Sequence, residues 1–277
     1  TVYLNGQYVP YSQALVPVED RAFLFADGIY EVVRCYGGKP FHLDRHFERL
    51  RDSAAGLDLP VPLDEAGFAR IVAALLERNR LREATVYLQV TRGAAPRQHQ
   101  FPREATPTVV AIARPAQSPP EDQVRAGVSV ITVPDTRWGL CYLKTVGLLP
   151  NVLARQQAQR EGAFDAVFVR DGLVTEASSS NVFCAFDGVV HTHPLANILP
   201  GVTRAVVLEI LADLGIPYRE EAVPLQRFRG ADEIFLTGTT LEVMGVVQVD
   251  GRRVGAGRTG PLTLRVWDAF RQRCASL

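Results

Sequence analysis

Residues 113 to 122 read Ala113-Arg-Pro-Ala-Gln-Ser-Pro-Pro-Glu-Asp122, the only stretch of the chain dense in both proline and polar side chains. Proline fixes φ and lacks an N–H, so such a run neither continues a helix nor sits inside a sheet. It predicts a linker over residues 114–122 between a smaller α/β part, residues 1–113, and a larger one, residues 123–277. A chain of 277 residues suffices for one large or two ordinary domains.

On the near side of the linker, Asn5-Gly6 between short apolar runs predicts a hairpin. Ile29 to Tyr36, Ala84 to Thr91 and Thr108 to Ala113 are rich in β-branched and aromatic residues and read as strands. Asp44 and Asp64 are candidate N-caps for two helices, the second with Phe68, Ile71, Val72, Leu75 and Leu76 on one face. On the far side, strands are expected at Val128 to Val133, Ala166 to Arg170, Asn181 to Phe186, Val189 to Thr192 and Glu233 to Leu236. Helices are expected at Pro150 to Glu161, Thr203 to Leu214 and Leu262 to Arg273. Meandering strands with interspersed helices imply a mixed α/β (α+β) fold rather than a regular βαβ series.

Acidic and basic residues balance at 30 each, so neither a nucleic-acid footprint nor attraction to an anionic membrane surface is expected. No apolar stretch approaches the length of a bilayer span, and Thr1 to Gly6 lacks the pattern of a secretory signal. Cys35, Cys141, Cys184 and Cys274 are scattered without CxxC spacing. A cytoplasmic protein with reduced thiols is the expectation.

Only two residues are lysine, Lys39 and Lys144. Lys144 lies in Trp138-Gly-Leu-Cys-Tyr-Leu-Lys144-Thr-Val-Gly-Leu-Leu-Pro150, with no other charge. Apolar surroundings disfavour an ammonium, and a neutral amine can attack a carbonyl to form a Schiff base; the alternative is a lysine that snorkels to water. Three segments suit an anion. Gly201 directly precedes a helix start, Thr237-Gly-Thr-Thr240 follows a strand, and Arg49 offers a planar fork. Each also reads as an ordinary cap, turn or solvated helix face. Glu176 begins Glu-Ala-Ser-Ser-Ser-Asn181, either a carboxylate for a cationic ring nitrogen or a polar loop. Arg92, Arg97 and His99 share one loop that could grip a carboxylate or simply lie on the surface. His191 and His193 share a strand face, but no third metal ligand is evident.

In order along the chain, Glu19 to Glu31, His46 to Leu50, Arg92 to His99, Lys144 to Ala154, Val174 to Phe183, Pro200 to Arg204 and Phe235 to Thr240 resemble the motifs of the fold-type IV pyridoxal-phosphate enzymes, and within them the D-amino-acid aminotransferases most. The resemblance spans Val2 to about Arg273. It implies a two-lobe fold with pyridoxal 5′-phosphate at the lobe interface, the larger C-terminal part binding the cofactor, in a homodimer. By the same resemblance Lys144 holds the cofactor as a Schiff base and acts as catalytic base. Glu176 pairs with the pyridine nitrogen. Arg49, the backbone of Val202 and Thr203, and Gly238 with Thr239 hold the phosphate. Tyr30, Arg97 and His99 take the substrate carboxylate, the last two from the neighbouring subunit.

The implied reaction is transfer of the amino group of a D-amino acid to a 2-oxo acid such as 2-oxoglutarate or pyruvate. Neighbouring activities are an (R)-selective amine transaminase, a dual-activity enzyme and aminodeoxychorismate lyase, which eliminates pyruvate. Branched-chain L-aminotransferases usually have Tyr where this chain has Leu149. A non-catalytic cofactor-binding relative would not need both Lys144 and Glu176.

Overall fold

The computed structural model describes residues Thr1–Leu277. Two compact units emerge: Thr1–Gln117 with Leu143–Leu148 and Leu277, and Ser118–Tyr142 with Leu149–Ser276. The change at Gln117 falls inside the proline-rich segment. The division by the linker assigns Lys144 to the C-terminal part, whereas its segment packs with the first unit.

The first unit contains β1 (Val2–Leu4), β2 (Gln7–Val9), α1 (Arg21–Phe25), β3 (Gly28–Tyr36), β4 (Lys39–Pro40), α2 (Leu43–Gly56), α3 (Glu65–Asn79), β5 (Ala84–Thr91) and β6 (Thr108–Pro115). Its six strands run β2-β1-β6-β5-β3-β4, all antiparallel. Asn5 and Gly6 both take positive φ, as the tight β1–β2 turn demands. Asp64 caps α3, accepting from the Gly67 N–H at 2.6 Å. Asp44 does not cap α2: left-handed His42 precedes that helix, and Asp44 sits in its first turn, where its charge suits the helix dipole. α2 and α3 cover one sheet face, burying Leu50, Phe68, Val72 and Leu75 against Ile29, Val33, Val86 and Leu88.

The second unit contains α4 (Glu121–Ala126), β7 (Val128–Pro134), α5 (Leu149–Arg160), β8 (Asp165–Arg170), β9 (Leu173–Ala177), β10 (Asn181–Phe186), β11 (Val189–Thr192), α6 (Val202–Asp213), β12 (Tyr218–Glu220), β13 (Val223–Pro224), α7 (Leu225–Phe228), β14 (Glu233–Gly238), β15 (Glu242–Val249), β16 (Arg252–Arg253) and α8 (Pro261–Ala275). The strands pair in the order β10-β14-β15-β7-β8-β9, and β9 pairs back to β10 through Glu176 and Asn181, closing a ring of six. Phe183 and Phe235 stack between neighbouring strands, ring centroids 4.9 Å apart. The Glu176 segment, open to reading as a polar loop, is strand β9 with a tight turn: the Ala177 N–H donates to Ser180 O at 2.8 Å.

Candidate active site

Side chains alternate across a strand, so Ile29, Glu31 and Val33 of β3 share the face covered by α2 and α3, and Tyr30 lies on the other. Glu31 is thus a fully buried carboxylate in an apolar layer. α2 supplies its partners from two positions three residues apart, which lie on one helix face. Arg49 donates twice to it, at 2.8 and 2.7 Å, and His46 Nδ1 donates at 2.7 Å. Burial alone would raise the Glu31 pKa; the Arg49 charge and the bonds from Arg49 and His46 outweigh it and hold the carboxyl far below its usual range. Burial pushes His46 down. Arg49 is therefore a buried, oriented guanidinium, not a solvated one.

Lys144 joins this unit because its segment extends the β3 edge that β4 leaves uncovered. The Tyr30 N–H donates to Lys144 O at 3.0 Å, Ile29 bridges to Thr145, and the Val146 N–H donates to Gly28 O at 3.0 Å. The Lys144 N–H donates to Ser53 Oγ at 3.0 Å. With the backbone fixed on both sides, Nζ lies 4.3 Å from the Tyr30 ring centroid. Tyr30 stacks on Tyr87, centroids 5.5 Å apart, and the Tyr87 hydroxyl donates to Gln89 at 2.7 Å. Burial pushes the Tyr87 hydroxyl up to about 12. Tyr87 and Glu31 were not marked as functional by sequence; the signals were an aromatic at cross-strand spacing and a carboxylate at an inward strand position.

In the second unit, Glu176 is buried and accepts from Arg137 at 2.5 Å, from Asn181 Nδ2 at 3.2 Å and from the Leu199 N–H at 3.1 Å. Arg137 is itself gripped by Asp135 at 2.9 Å and lies over Phe168. Burial alone would lower the Arg137 pKa; the bond from Asp135 and the Glu176 charge raise it further above its already high value. Sequence reading gave Arg137 no role, since nothing local marks it.

Asn181 also donates to Leu199 O at 3.0 Å, tying β10 to the segment that enters α6. Gly201 is the N-cap of α6 with no side-chain cap, so the Val202 and Thr203 N–H groups open the helix. A Cβ at Gly201 would collide with Asn181 Oδ1. Across the β10–β14 ladder Asn181 faces Thr237, next to Gly238 and Thr239. Two hydroxyls here, Ser180 Oγ and Thr237 Oγ1, are buried with no hydrogen-bond partner. Buried polar groups are normally paired, so two orphans beside an uncapped helix start mark a place for an anion.

The Arg92 loop separates into two parts. Arg92 is buried and structural: it donates to Asp27 at 2.9 Å and to Asp58 O and Leu57 O at 2.8 Å each. Its place in a carboxylate grip is thereby corrected. Arg97 and His99 are exposed and flank the Phe25 ring, at 5.2 and 5.5 Å. Tyr30 packs instead on Tyr87 and Lys144, so within one chain these three residues do not gather. His191 lies 2.8 Å from Glu221 and His193 donates to Pro194 O, and no group of three His, Cys, Asp or Glu side chains converges.

The family model described as amino-transferase class IV matches residues 28–249, most of the chain. The chain belongs to that family. This class IV aminotransferase is 44% identical over 276 residues to a D-alanine aminotransferase of Bacillus licheniformis, covering 99% of this chain and 97% of the relative. It is 40% identical to one of Staphylococcus haemolyticus, covering 97% and 96%. Among solved structures, a T.th. branched-chain amino acid aminotransferase with pyridoxamine 5′-phosphate superposes at TM-score 0.93 with 27% identity, covering 99% of this chain and 94% of that one. The Escherichia coli branched-chain enzyme gives 0.91 and 28%, covering 98% and 93%. The fold is that of the fold-type IV aminotransferases.

Proposed function

We propose that this aminotransferase moves the amino group of a D-amino acid to a 2-oxo acid, with pyridoxal 5′-phosphate as carrier. The observation that carries the reading is Lys144, its backbone held on both sides and its amine over Tyr30. The residues present fit the cofactor: an amine for its aldehyde, a buried carboxylate for its ring nitrogen, and an uncapped helix start with two orphan hydroxyls for its phosphate. The D-specific donor is supported by relatives matched over nearly the whole chain at 40–44% identity, well above the 27–28% of the branched-chain structures.

When bound, the cofactor supplies an electron sink for the donor's Cα–H bond. Lys144 would hold the cofactor through its aldehyde, and Nζ, freed when a donor amine is bound, would be the base that carries the donor's Cα proton. Glu176 holds the ring N–H, its charge compensated by Arg137. Arg49, oriented by Glu31, the Val202 and Thr203 N–H groups, Gly238 and Thr239 bind phosphate. Tyr30, Arg97 and His99 take the donor carboxylate, the last two from a second copy. The donor's carbon skeleton would leave as an oxo acid, with water supplying its carbonyl oxygen, and a second oxo acid would take up the amino group with release of water, so ping-pong kinetics are expected.

Incubation with D-alanine and 2-oxoglutarate should release pyruvate, and L-alanine should not; a cofactor-loaded protein that releases none from D-alanine rejects the reading. Arg97→Ala should lower kcat/KM for D-alanine by about 100-fold, the cost of a charged hydrogen bond. (R)-1-phenylethylamine, which lacks the carboxylate, should lose far less. Equal losses for both donors would turn the reading toward an amine transaminase.

The homodimer is supported by α5, which buries Ala154 and Ala158 but leaves Leu149, Val152 and Leu153 58–68% exposed on one stripe. Leu153→Asp should shift the molecular mass seen by light scattering from dimer to monomer, and an unchanged dimer would place the interface elsewhere. No helix is long and apolar enough to cross a membrane. All four cysteines are buried and unbridged, which supports a reducing, cytoplasmic setting.

A further inference from the structure

The loop that carries Arg97 and His99 is long, exposed and free of regular structure; buried Arg92 lies 3.6 Å from the ring centroid of its Phe101, and a second buried arginine fastens it at Gln98. Arg21, 3% exposed at the start of α1, donates from Nη1 to Gln98 O at 2.7 Å. Gln98 is the residue between Arg97 and His99. Arg21 is fixed from behind by Asp27, which accepts from its Nε at 2.7 Å. It also lies 4.7 Å from the centroid of Phe25, the ring that Arg97 and His99 flank. The backbone repeats the tie: the Arg21 N–H donates to Gly93 O at 3.0 Å, and Asp20 bridges to Ala94. A guanidinium planar fork that spends one arm on a carboxylate and another on a carbonyl leaves that carbonyl little freedom.

We infer that Arg21 is a positioning residue for the donor-carboxylate grip: by fixing the Gln98 peptide it sets the presentation of Arg97 and His99, and it thereby determines how well the enzyme accepts donors that carry a carboxylate. The inference rests on the proposed role of Arg97 and His99. Arg21 touches neither donor nor cofactor. Its effect falls on donor affinity, because a mispositioned grip weakens capture without altering the base that moves the proton. If the grip serves a second copy, Arg21 serves it there too.

The test uses the holoenzyme and three variants, Arg21→Gln, Arg21→Lys and Arg97→Ala. Two reactions are followed by the loss of cofactor absorbance in single turnovers. One is with D-alanine over a concentration series; the other is with hydroxylamine, a small nucleophile without a carboxylate. Arg21→Gln should raise the half-saturating D-alanine concentration about ten-fold, leave the limiting rate within about two-fold, and leave the hydroxylamine rate unchanged. Arg21→Lys keeps the charge and one donor and should recover part of the loss. If Arg21→Gln does not retain cofactor, Arg21→Lys is read alone against wild type, with a rise of about three-fold expected for D-alanine only.

An unchanged D-alanine half-saturation in the Arg21 variants, with Arg97→Ala impaired, overturns the inference and leaves the proposed function standing. Equal slowing of D-alanine and hydroxylamine means that Arg21 supports the fold at large, and also overturns it. No effect of Arg97→Ala on D-alanine removes the grip itself: that is a failure of the proposed function, and the positioning role of Arg21 falls with it.

Discussion

Lys144→Ala is expected to lower the transamination rate by roughly 1,000-fold or more while leaving the protein folded. The general-base contribution alone is typically about 100- to 10,000-fold, and the covalent link to the aldehyde disappears with it. Folding should survive, because the contacts of this residue with β3 and Ser53 are made by its main chain. What remains is loss of the stem over Tyr30, a half-buried contact of small value. Two measurements check this. Wild type incubated with cofactor should show absorbance near the visible edge that borohydride reduction fixes covalently, and the variant should not. Thermal melts of the two apoproteins should coincide within a few degrees. Retention of a reducible adduct in the Lys144→Ala variant would remove Lys144 from the chemistry.

Glu31→Gln should destabilise the fold by about 3–5 kcal/mol. Removing one partner from a buried ion pair strands the other charge; here Arg49 would be left buried against an amide that cannot match its two-pronged donation. The pH dependence has a definite sign. Glu31 titrates far below its usual value near 4.5 in the folded protein, so its stabilisation is complete above that value and fades as pH falls through the acid range. His46 is also depressed below its ordinary 6.5, so the unfolded chain takes up a proton that the folded one resists. Stability of the wild type should therefore begin to fall below about pH 6.5 and fall further below about pH 4.5. Urea unfolding from pH 7 to pH 4 should show both stages, the second smaller in Glu31→Gln but not abolished, because burial, which would raise Asp135 and Asp250, is outweighed by bonds from Arg137 and Arg229 that hold these carboxyls low as well. A variant that unfolds at the wild-type urea concentration at pH 7 would mean that the trio contributes little. The same substitution should weaken cofactor binding, since Arg49 loses the carboxylate that aims it.

Local patterns made most of the scaffold readable. Ala84–Thr91 and Asn181–Phe186 are strands with the expected ends, because β-branched runs bounded by turn residues leave little choice. Helix starts were less secure: Asp44 has the right chemistry for an N-cap, yet left-handed His42 takes the place two residues earlier. β15, Glu242–Val249, was not anticipated, since it follows the Thr237–Thr240 turn with only Leu241 between. Nonlocal facts were out of reach. That Leu143–Leu148 leaves its sequence neighbours and pairs along β3 depends on an edge 114 residues away, from Tyr30 to Lys144. Arg92 and Arg97 look alike in the sequence, and only burial separates a strut from a candidate ligand. Nor could composition reveal that Arg137 would meet Glu176 across 39 positions.

The superposition on branched-chain enzymes at TM-scores of 0.91 and 0.93 shows the scaffold to be common to both kinds of aminotransferase. Donor handedness is therefore not fixed by the scaffold and must reside in side chains.

The six-stranded cylinder of the second unit is sewn shut along a seam one residue pair wide, Glu176 opposite Asn181. A rung of this kind is made by the main chain. The side chains that hang from it are less free, because Glu176 is the counter-charge of buried Arg137 and Asn181 ties β10 to Leu199 O, so a change at either end of the rung must carry its partners with it.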